Sequence, residues 1–349
     1  MKNNKVSDFT LTRRGLLWTT GGVALSFAVG TMSANAATSD TKIKVGFILP
    51  DFDQLRWKNG DLPGFKQTAD QLGMDFISLQ SDDSETVQAN QVQDMLLHDV
   101  DVLVITPVNQ TAASALVRQA NQVKVPVISY NYLITNADVA CFVGNDWELA
   151  SEAVANLAVK EKPQGNYILV LGPQGVSAAT SEIKGFDKVL APYIQSGAIK
   201  IVSKQFNAGW STVSARAQVE NALTKVNNDV AAVICGNDGT AYGAIQALRA
   251  QNLGGKVFVN GFDCEVRAQQ LIQEGFLTAS SFTDFFQCGS EAARAAFNVA
   301  MGKPVDAAVT VNNGFKDVPW VKVKHVLVTK DNLPDMIKEY PWWFSTVKS

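Results

Sequence analysis

Short apolar runs rich in β-branched residues alternate along most of this chain with longer stretches of helical period. The run "IKVGFIL" (43–49) precedes one helical pattern, and "DVLVITPV" (101–108) precedes another. Strand, helix and strand in this order form βαβ units, which build parallel sheets. Fully apolar runs such as "VLVIT" are typical of strands buried on both faces of a sheet. The alternation therefore predicts an α/β fold.

The same alternation occurs twice. "KPQGNY" (162–167) interrupts it, and it resumes with runs such as "AAVICGND" (231–238). A chain of 349 residues can bury two ordinary cores, but the segment after about residue 277 is too short for a third domain. That segment must complete both halves, so we predict two Rossmann-like lobes with parallel sheets, joined by a multi-strand hinge. The predicted boundaries are 37–144 plus 280–309 for the N-terminal lobe and 145–279 plus 310–349 for the C-terminal lobe.

The N-terminus has the pattern of an export signal. Basic residues precede an apolar stretch from Gly15 to Met32, and a small-residue site ends at Ala36. We expect residues 1–36 to be a signal peptide that is removed, leaving the mature protein in the periplasm. The adjacent Arg13 and Arg14 resemble a twin-arginine signal. An ordinary export signal that happens to contain two adjacent arginines is the alternative.

Polar side chains and aromatic rings follow the predicted strands. The carboxyl ends of parallel strands form the edge at which open α/β folds bind ligands. Carboxylates, carboxamides and guanidinium groups bond hydroxyls, and aromatic rings pack on the C–H faces of sugars. These residue types predict a neutral, hydroxyl-rich ligand. The candidate ligand-binding residues are Arg56, Trp57, Asn131, Tyr132, Asn145, Asp146, Phe206, Trp210, Asn237 and Asp263.

Helix capping is the competing interpretation for each of these polar residues taken alone, because Asn and Asp after a strand commonly cap the next helix. One open alternative is that Asp146 and Asp238 cap helices while the neighbouring Asn145 and Asn237 face the ligand. For the aromatic plates we favour Trp57 from one lobe and Phe206 from the other. Trp210 ranks below Phe206 because it is equally consistent with a packing anchor.

Other functions find little support in the sequence. Charged residues make up 18% of the chain with a net charge of −3, which does not indicate nucleic acid as a partner. The two histidines lie away from the predicted edge, and no glycine-rich phosphate motif follows a strand. We expect no metal, no cofactor and no catalysis. The cysteines lack CxxC spacing and are predicted to be buried free thiols: Cys141, Cys235, Cys264 and Cys288.

Several stretches together resemble the periplasmic sugar-binding proteins of ABC importers, a family with the type I binding-protein fold. They are "RW" (56–57), "DVDVLVITPVN", "PQGNY", "LAPYIQSGAIKIV", "GNDGTAYGAIQALRAQNLGGKV" and "NNGFKDVP", and they span nearly the whole mature chain. The resemblance implies closure of two lobes, linked by three hinge strands, around one monosaccharide, and delivery to the transmembrane subunits of a permease. It also implies a monomer. The family's ligand contacts fall on Arg56, Asn145, Asp146, Phe206, Asn237 and Asp263.

Three positions depart from the pattern of the pentose-binding members. Asn131-Tyr132 replaces an Asp-Arg pair, Thr283 replaces a lysine near the last crossing, and the loop after Trp57 is one residue longer. We include Thr283 among the ligand-binding candidates. A pocket built for one hydrogen-bonding pattern rejects ligands that leave its polar groups unpaired. Within the pentose class, the changes favour a relative of D-xylose or a small sugar alcohol over D-xylose itself.

Three alternatives remain open. A transcription repressor shares this architecture, but it would need a DNA-binding motif where the export signal stands. A secreted glycosidase would need two carboxylates opposed across the cleft, for which Asp146 and Asp263 are the candidates. A periplasmic receptor could also report to a chemotaxis or kinase sensor, since the partner recognises the outer surface of the closed lobes.

Overall fold

The computed structural model describes residues 42–52 and 54–344. The predicted signal peptide, including Arg13 and Arg14, lies outside this range. Within the described ranges, none of the helices combines the length and apolar character needed to cross a membrane. All four cysteines are buried free thiols, which confirms the prediction for them.

Strands and helices alternate as predicted. The strands are β1 (Lys44–Leu49), β2 (Asp75–Gln80), β3 (Val102–Ile105), β4 (Val127–Tyr130), β5 (Cys141–Asn145), β6 (Gly165–Leu171), β7 (Ile199–Phe206), β8 (Ala232–Cys235), β9 (Phe258–Phe262), β10 (Ala279–Thr283), β11 (Val309–Asn312), β12 (Asp317–Val323) and β13 (His325–Thr329). The α-helices are α1 (Leu62–Gln71), α2 (Glu85–Leu97), α3 (Ala113–Gln122), α4 (Trp147–Glu161), α5 (Ser177–Gln195), α6 (Thr212–Lys225), α7 (Asp238–Ala250), α8 (Val266–Glu274), α9 (Phe285–Ala300), α10 (Leu333–Glu339) and α11 (Pro341–Phe344).

The strands form two sheets, one in each lobe. The first has the order β11-β12-β5-β4-β3-β1-β2, and the second has the order β13-β10-β9-β8-β6-β7. Pairing is parallel except at β11–β12 and β10–β13, which are antiparallel. Every residue of β3 and of β8 is buried, as expected for strands covered by helices on both faces. The predicted pair of α/β lobes with parallel sheets is confirmed.

The chain passes between the two sheets three times: from β5 to β6, from β10 to β11, and from β12 to β13. The crossing segments are bonded to one another. Asn145 Nδ2 donates to Thr283 Oγ1 at 2.7 Å, and Lys322 Nζ lies 2.9 Å from Asp146 Oδ2. Because the crossings are adjacent and cross-linked, they form the multi-strand hinge that the sequence predicts.

The C-terminal third is divided between the lobes differently from the predicted boundaries. Strand β12 pairs with β5 in the first sheet, although residues 310–349 had been assigned to the second lobe. Strand β10 pairs with β9 in the second sheet, although residues 280–309 had been assigned to the first. Each short segment joins the sheet in which it pairs with a distant strand. The local sequence does not specify that pairing, so it does not predict the sheet.

Candidate ligand-binding site

A small cavity lies between the lobes, where loops after the strands of both sheets meet. The first lobe contributes Gln54, Arg56 and Tyr132 to its lining, and the second contributes Trp147, Ala178, Glu182, Trp210, Gly236, Asn237, Phe262 and Asp263. The structure thus brings together five of the predicted site residues: Arg56, Tyr132, Trp210, Asn237 and Asp263.

Arg56 is the centre of the first-lobe wall. Its guanidinium donates twice to the Asp61 carboxylate, at 2.9 and 3.2 Å, and once to Asn131 Oδ1 at 3.1 Å. The hydroxyl of Tyr130 donates to Asp61 at 2.5 Å. The Arg56 side chain is 2% exposed, so its charge is held inside the protein by a bidentate pair and a carboxamide.

Aromatic rings enclose the same guanidinium. Its central carbon lies 4.1 Å from the ring centroid of Trp57 and 3.8 Å from that of Phe285. Burial by itself lowers the pKa of Arg56, but the carboxylates of Asp61 and Asp263 raise it above its ordinary value. The guanidinium therefore stays charged, and its planar faces are covered by rings while its edge is covered by hydrogen bonds.

Asp61 reaches Arg56 because the segment between them is wound as a π-helix, Trp57–Asp61. The N–H of Leu62 donates to the carbonyl of Trp57, a spacing of five residues rather than four. A π-turn holds one more residue than an α-turn, and such turns are frequent at functional sites. The extra residue inferred after Trp57 from the sequence falls in this segment.

Asp263 lies in the second-lobe wall, opposite Arg56 in the first. Its φ of +91° is unusual for a residue other than glycine and points to local backbone strain. Asp238 supports this turn: its carboxylate accepts from Ser280 Oγ and from the backbone N–H of Glu265, each at 2.7 Å. The Ser280 hydroxyl in turn accepts from the backbone N–H of Cys264. Asp238 therefore positions the Asp263 turn rather than capping α7 with its side chain.

Asn237 caps α7 and also lines the cavity. Its Oδ1 accepts from the Thr240 N–H at 2.8 Å, and the Thr240 hydroxyl accepts from the Asn237 N–H. Asn237, and not Asp238, therefore caps α7, which differs from the alternative in which Asp238 is the cap. Asp146 does cap α4, by accepting from the Leu149 N–H.

The two walls approach most closely at Arg56 and Asp263, whose Nη1 and Oδ1 atoms are 3.8 Å apart. Burial raises the pKa of Asp263 to about 7, against the lowering effect of Arg56. Two main-chain donors add direct links between the lobes: Gln110 N–H to the Gly175 carbonyl, and Leu133 N–H to Ser177 Oγ. The lobes are therefore in contact around the cavity.

Six predicted residues do not line this cavity, and four of them lie at the end of β7 or in the hinge. Phe206 lies 45% exposed at the end of β7, and Trp210 takes the position in the lining that had been expected for it. Asp146 pairs with Lys322 of the hinge and does not line the cavity with Asp263, as the glycosidase alternative would require. Asn145 and Thr283 bond each other in the hinge.

Trp57 and Asn131 contribute from behind the lining. The Trp57 ring is fully buried, and Asn131 is 1% exposed. Trp57 therefore acts on Arg56 through ring stacking rather than as an open plate for a sugar. Asn131 Nδ2 and Trp57 Nε1 have no hydrogen-bond partner among the described residues.

Glu182 and Asp61 are residues that sequence reasoning did not identify. Glu182 lies in the second turn of α5, away from any strand end, where a glutamate normally faces solvent. Asp61 follows Arg56 by five residues, a spacing that brings side chains together only in a π-turn. The cavity as a whole offers hydrogen-bonding groups and aromatic faces, a combination suited to binding a hydroxyl-rich molecule.

Two α/β lobes joined by three hinge strands, with a polar and aromatic cavity between them, define a class of two-lobed solute receptors. Residues 45–304 match the model of the periplasmic binding protein domain, and the chain belongs to that family.

Two curated relatives and one solved structure illustrate the similarity. The D-xylose-binding periplasmic protein of Escherichia coli (strain K12) is 35% identical over 90% of this chain and 95% of its own. The ribose import binding protein of the same organism is 29% identical over 83% and 94%. A carbohydrate transporter solute-binding protein from Chloroflexus aurantiacus, solved with D-glucose, has a TM-score of 0.79 and 27% identity over 86% of this chain and 96% of its own.

Proposed function

We propose that this protein is a periplasmic receptor of an ABC importer, and that it captures a monosaccharide in the cleft between its lobes. The ligand is a pentose such as D-xylose or a related small sugar alcohol. The closed, loaded receptor delivers it to the transmembrane subunits of the permease and performs no chemistry on it. The sugar-binding relatives and the hydrogen-bonding, ring-lined cavity support this function.

The observation that carries the proposal is the composition of the cavity from both lobes. Arg56 and Tyr132 come from the first lobe, whereas Trp210, Asn237 and Asp263 come from the second. A ligand that bonds to both walls stabilises the closed state by its differential affinity for that state. A ligand that touches only one wall has no such effect.

Each polar side chain of the cavity has a defined role in this scheme. The carboxylate of Asp263 accepts from a ligand hydroxyl, and Asn237 Nδ2 donates to one. Arg56 supplies the opposite wall while Asn131 holds its guanidinium in place. Trp210 and Tyr132 present ring surfaces to the C–H groups of the ligand. The neutral Asn131, in place of a charged residue, leaves Arg56 with Asp61 as its close ion-pair partner.

A thermal-shift screen of residues 37–349 against pentoses, hexoses, inositols and sugar alcohols tests the proposal. A ligand at 1,000 times its Kd raises the free energy of unfolding by about 4 kcal/mol, which gives a clear rise in Tm. Calorimetry then gives the Kd of each hit, with D-xylose and xylitol measured in parallel. No response across the whole panel would contradict the proposed function.

A further inference from the structure

Glu182 is a buried carboxyl group that the fold itself does not use. Its residue is 2% exposed and lines the cavity. Within residues 42–52 and 54–344, Glu182 has neither a hydrogen bond nor an ion pair with a lysine, arginine or histidine nitrogen within 4.0 Å. Buried polar groups are nearly always hydrogen-bonded, so a carboxyl group that lines a ligand cavity without a protein partner is available to bond a ligand.

The local packing holds the Glu182 carboxyl at this cavity. A Cβ atom on Gly236 would lie 3.3 Å from Glu182 Oε2 and 2.8 Å from the Trp210 ring. The absence of a side chain at Gly236 therefore lets the carboxyl and the indole both approach the same point of the second-lobe wall. A side chain of this kind, buried beside a predicted stacking ring, is placed for ligand contact.

The charged groups around Glu182 would not balance the negative charge of an ionised Glu182 carboxylate. Arg56, the cation of the cavity lining, is already bonded twice to Asp61 and lies 3.8 Å from Asp263. Lys188 lies on the same helix as Glu182, but it is exposed and forms its ion pair with Glu152 of α4. The titratable and charged groups of the surrounding elements include Arg56, Asp61, Glu148, Glu152, Lys184, Asp187, Lys188, Lys204, Asp238, Asp263 and Glu265.

Resting on the proposed function, we propose that Glu182 contacts the ligand as a neutral carboxylic acid and donates its proton in a hydrogen bond to a ligand hydroxyl. The receptor thereby selects a neutral, hydroxyl-bearing ligand at this point. Burial, followed by the Asp263 carboxylate, raises the pKa of Glu182 well above its ordinary value, which agrees with a neutral group. A neutral acid both donates and accepts, as one sugar hydroxyl does, whereas a carboxylate only accepts.

Two variants test whether Glu182 binds the ligand as a neutral carboxylic acid or as an ionised carboxylate. Glu182→Gln keeps the shape and a neutral donor, while Glu182→Ala removes both. At pH 7 we expect Glu182→Gln to bind within about threefold of wild type, and Glu182→Ala to bind about 10- to 100-fold more weakly, because a ligand hydroxyl is left unpaired. The probes are D-xylose, xylitol, D-ribose and D-glucose, measured by calorimetry. Glu220→Gln is the matched control, since Glu220 is exposed on α6 and pairs with Arg216.

The pH profile gives an independent readout. Wild type should lose affinity relative to Glu182→Gln as pH rises into the alkaline range, because ionisation removes the donor. Asp263 titrates in both proteins, so the ratio of the two affinities isolates Glu182. Without ligand, a raised pKa in the folded state lowers stability as pH rises above 4.5. The Tm of Glu182→Gln relative to that of wild type should therefore be higher at pH 7 than at pH 4.

Three results would overturn this assignment. Binding by Glu182→Ala at the wild-type level would remove Glu182 from the ligand contacts. The second result is an equal loss of affinity in Glu182→Gln and Glu182→Ala, together with tighter binding of an amino sugar such as 2-amino-2-deoxy-D-glucose by wild type. This result would show that Glu182 is an ionised group that binds a cationic ligand. Failure of wild type to respond to any member of the full screening panel would overturn the proposed function and this inference with it, whereas the first two results leave the proposed function intact.

Discussion

The two walls of the cavity differ in how their charged groups are paired. In the first lobe, Arg56 is bonded to Asp61 and Asn131, and Tyr130 bonds Asp61 in turn. In the second lobe, Asp263 reaches its cation only across the cleft at 3.8 Å, and Glu182 has no bonded partner among the described residues. The first wall is pre-organised, whereas the second offers groups that a ligand must satisfy.

This difference assigns the walls different roles. A pre-organised wall loses little conformational freedom when a ligand arrives, so it fixes the position of the ligand. A wall with unpaired buried groups gains most from the ligand, so it discriminates among hydroxyl patterns. Changes in the first wall should therefore affect folding more than binding, and changes in the second should affect binding more than folding.

The largest effect is expected from Asp61→Ala. It leaves the Arg56 guanidinium buried without its bidentate partner, and breaking a buried pair in this way costs about 3–5 kcal/mol. Urea unfolding of the ligand-free protein measures the loss. Asp70→Ala, on the helix α1 that directly follows the π-turn, is the control, because its pair with Lys66 is exposed and contributes at most about 1 kcal/mol. Similar losses from both variants would show that the first wall is not held by this pair.

Asp263→Ala should lose at least about 2 kcal/mol of sugar affinity, because a ligand hydroxyl is left unpaired and a charged bond is lost. Calorimetry with the best ligand of the screen gives the Kd, and urea unfolding gives the stability of the same variant. Near-wild-type affinity would remove Asp263 from the site. A loss of stability larger than the loss of affinity would break the distinction between the walls.

The stability of the ligand-free protein should fall as pH rises from about 4 to 7. The pKa of Asp263 is about 7 in the folded protein, above its ordinary value, so the folded state holds a proton that the unfolded chain releases. Asp263→Asn cannot titrate and should show a flatter profile. Urea unfolding at intervals of 0.5 pH unit measures both slopes, and parallel slopes would contradict this expectation.

The smallest effects separate the two aromatic candidates of the second lobe. Trp210→Ala should weaken sugar binding by about 1–2 kcal/mol, because the ring packs against the cavity. Phe206→Ala should leave the Kd within about twofold, since Phe206 is 45% exposed and outside the lining. Calorimetry on the two variants side by side measures the contrast. The reverse order would restore the ranking that the sequence favoured.

Much of this protein follows from local sequence. The apolar runs predict the strands of both sheets, because burial on both faces demands continuous hydrophobic residues. Residues at strand ends, such as Arg56, Asn237 and Asp263, are identifiable because parallel strands bring their carboxyl ends to one edge. Even the resemblance to sugar receptors rests on short stretches that are legible without a structure.

Tertiary structure decided what depends on contacts between distant segments. The π-turn at Trp57–Asp61 pairs Arg56 with Asp61, and the choice of Trp210 over Phe206 depends on how the loop after β7 folds back. Strand β12 joined the first sheet because its hydrogen-bonding partner is β5, whose paired residues lie 178 positions earlier. Glu182 carries no sequence signal, since its environment is created by the packing of α5 against a cavity whose walls come from the whole chain. Periodicity in the sequence determined the elements and their edges, whereas burial and pairing, which are properties of the assembled lobes, decided which side chains face the ligand.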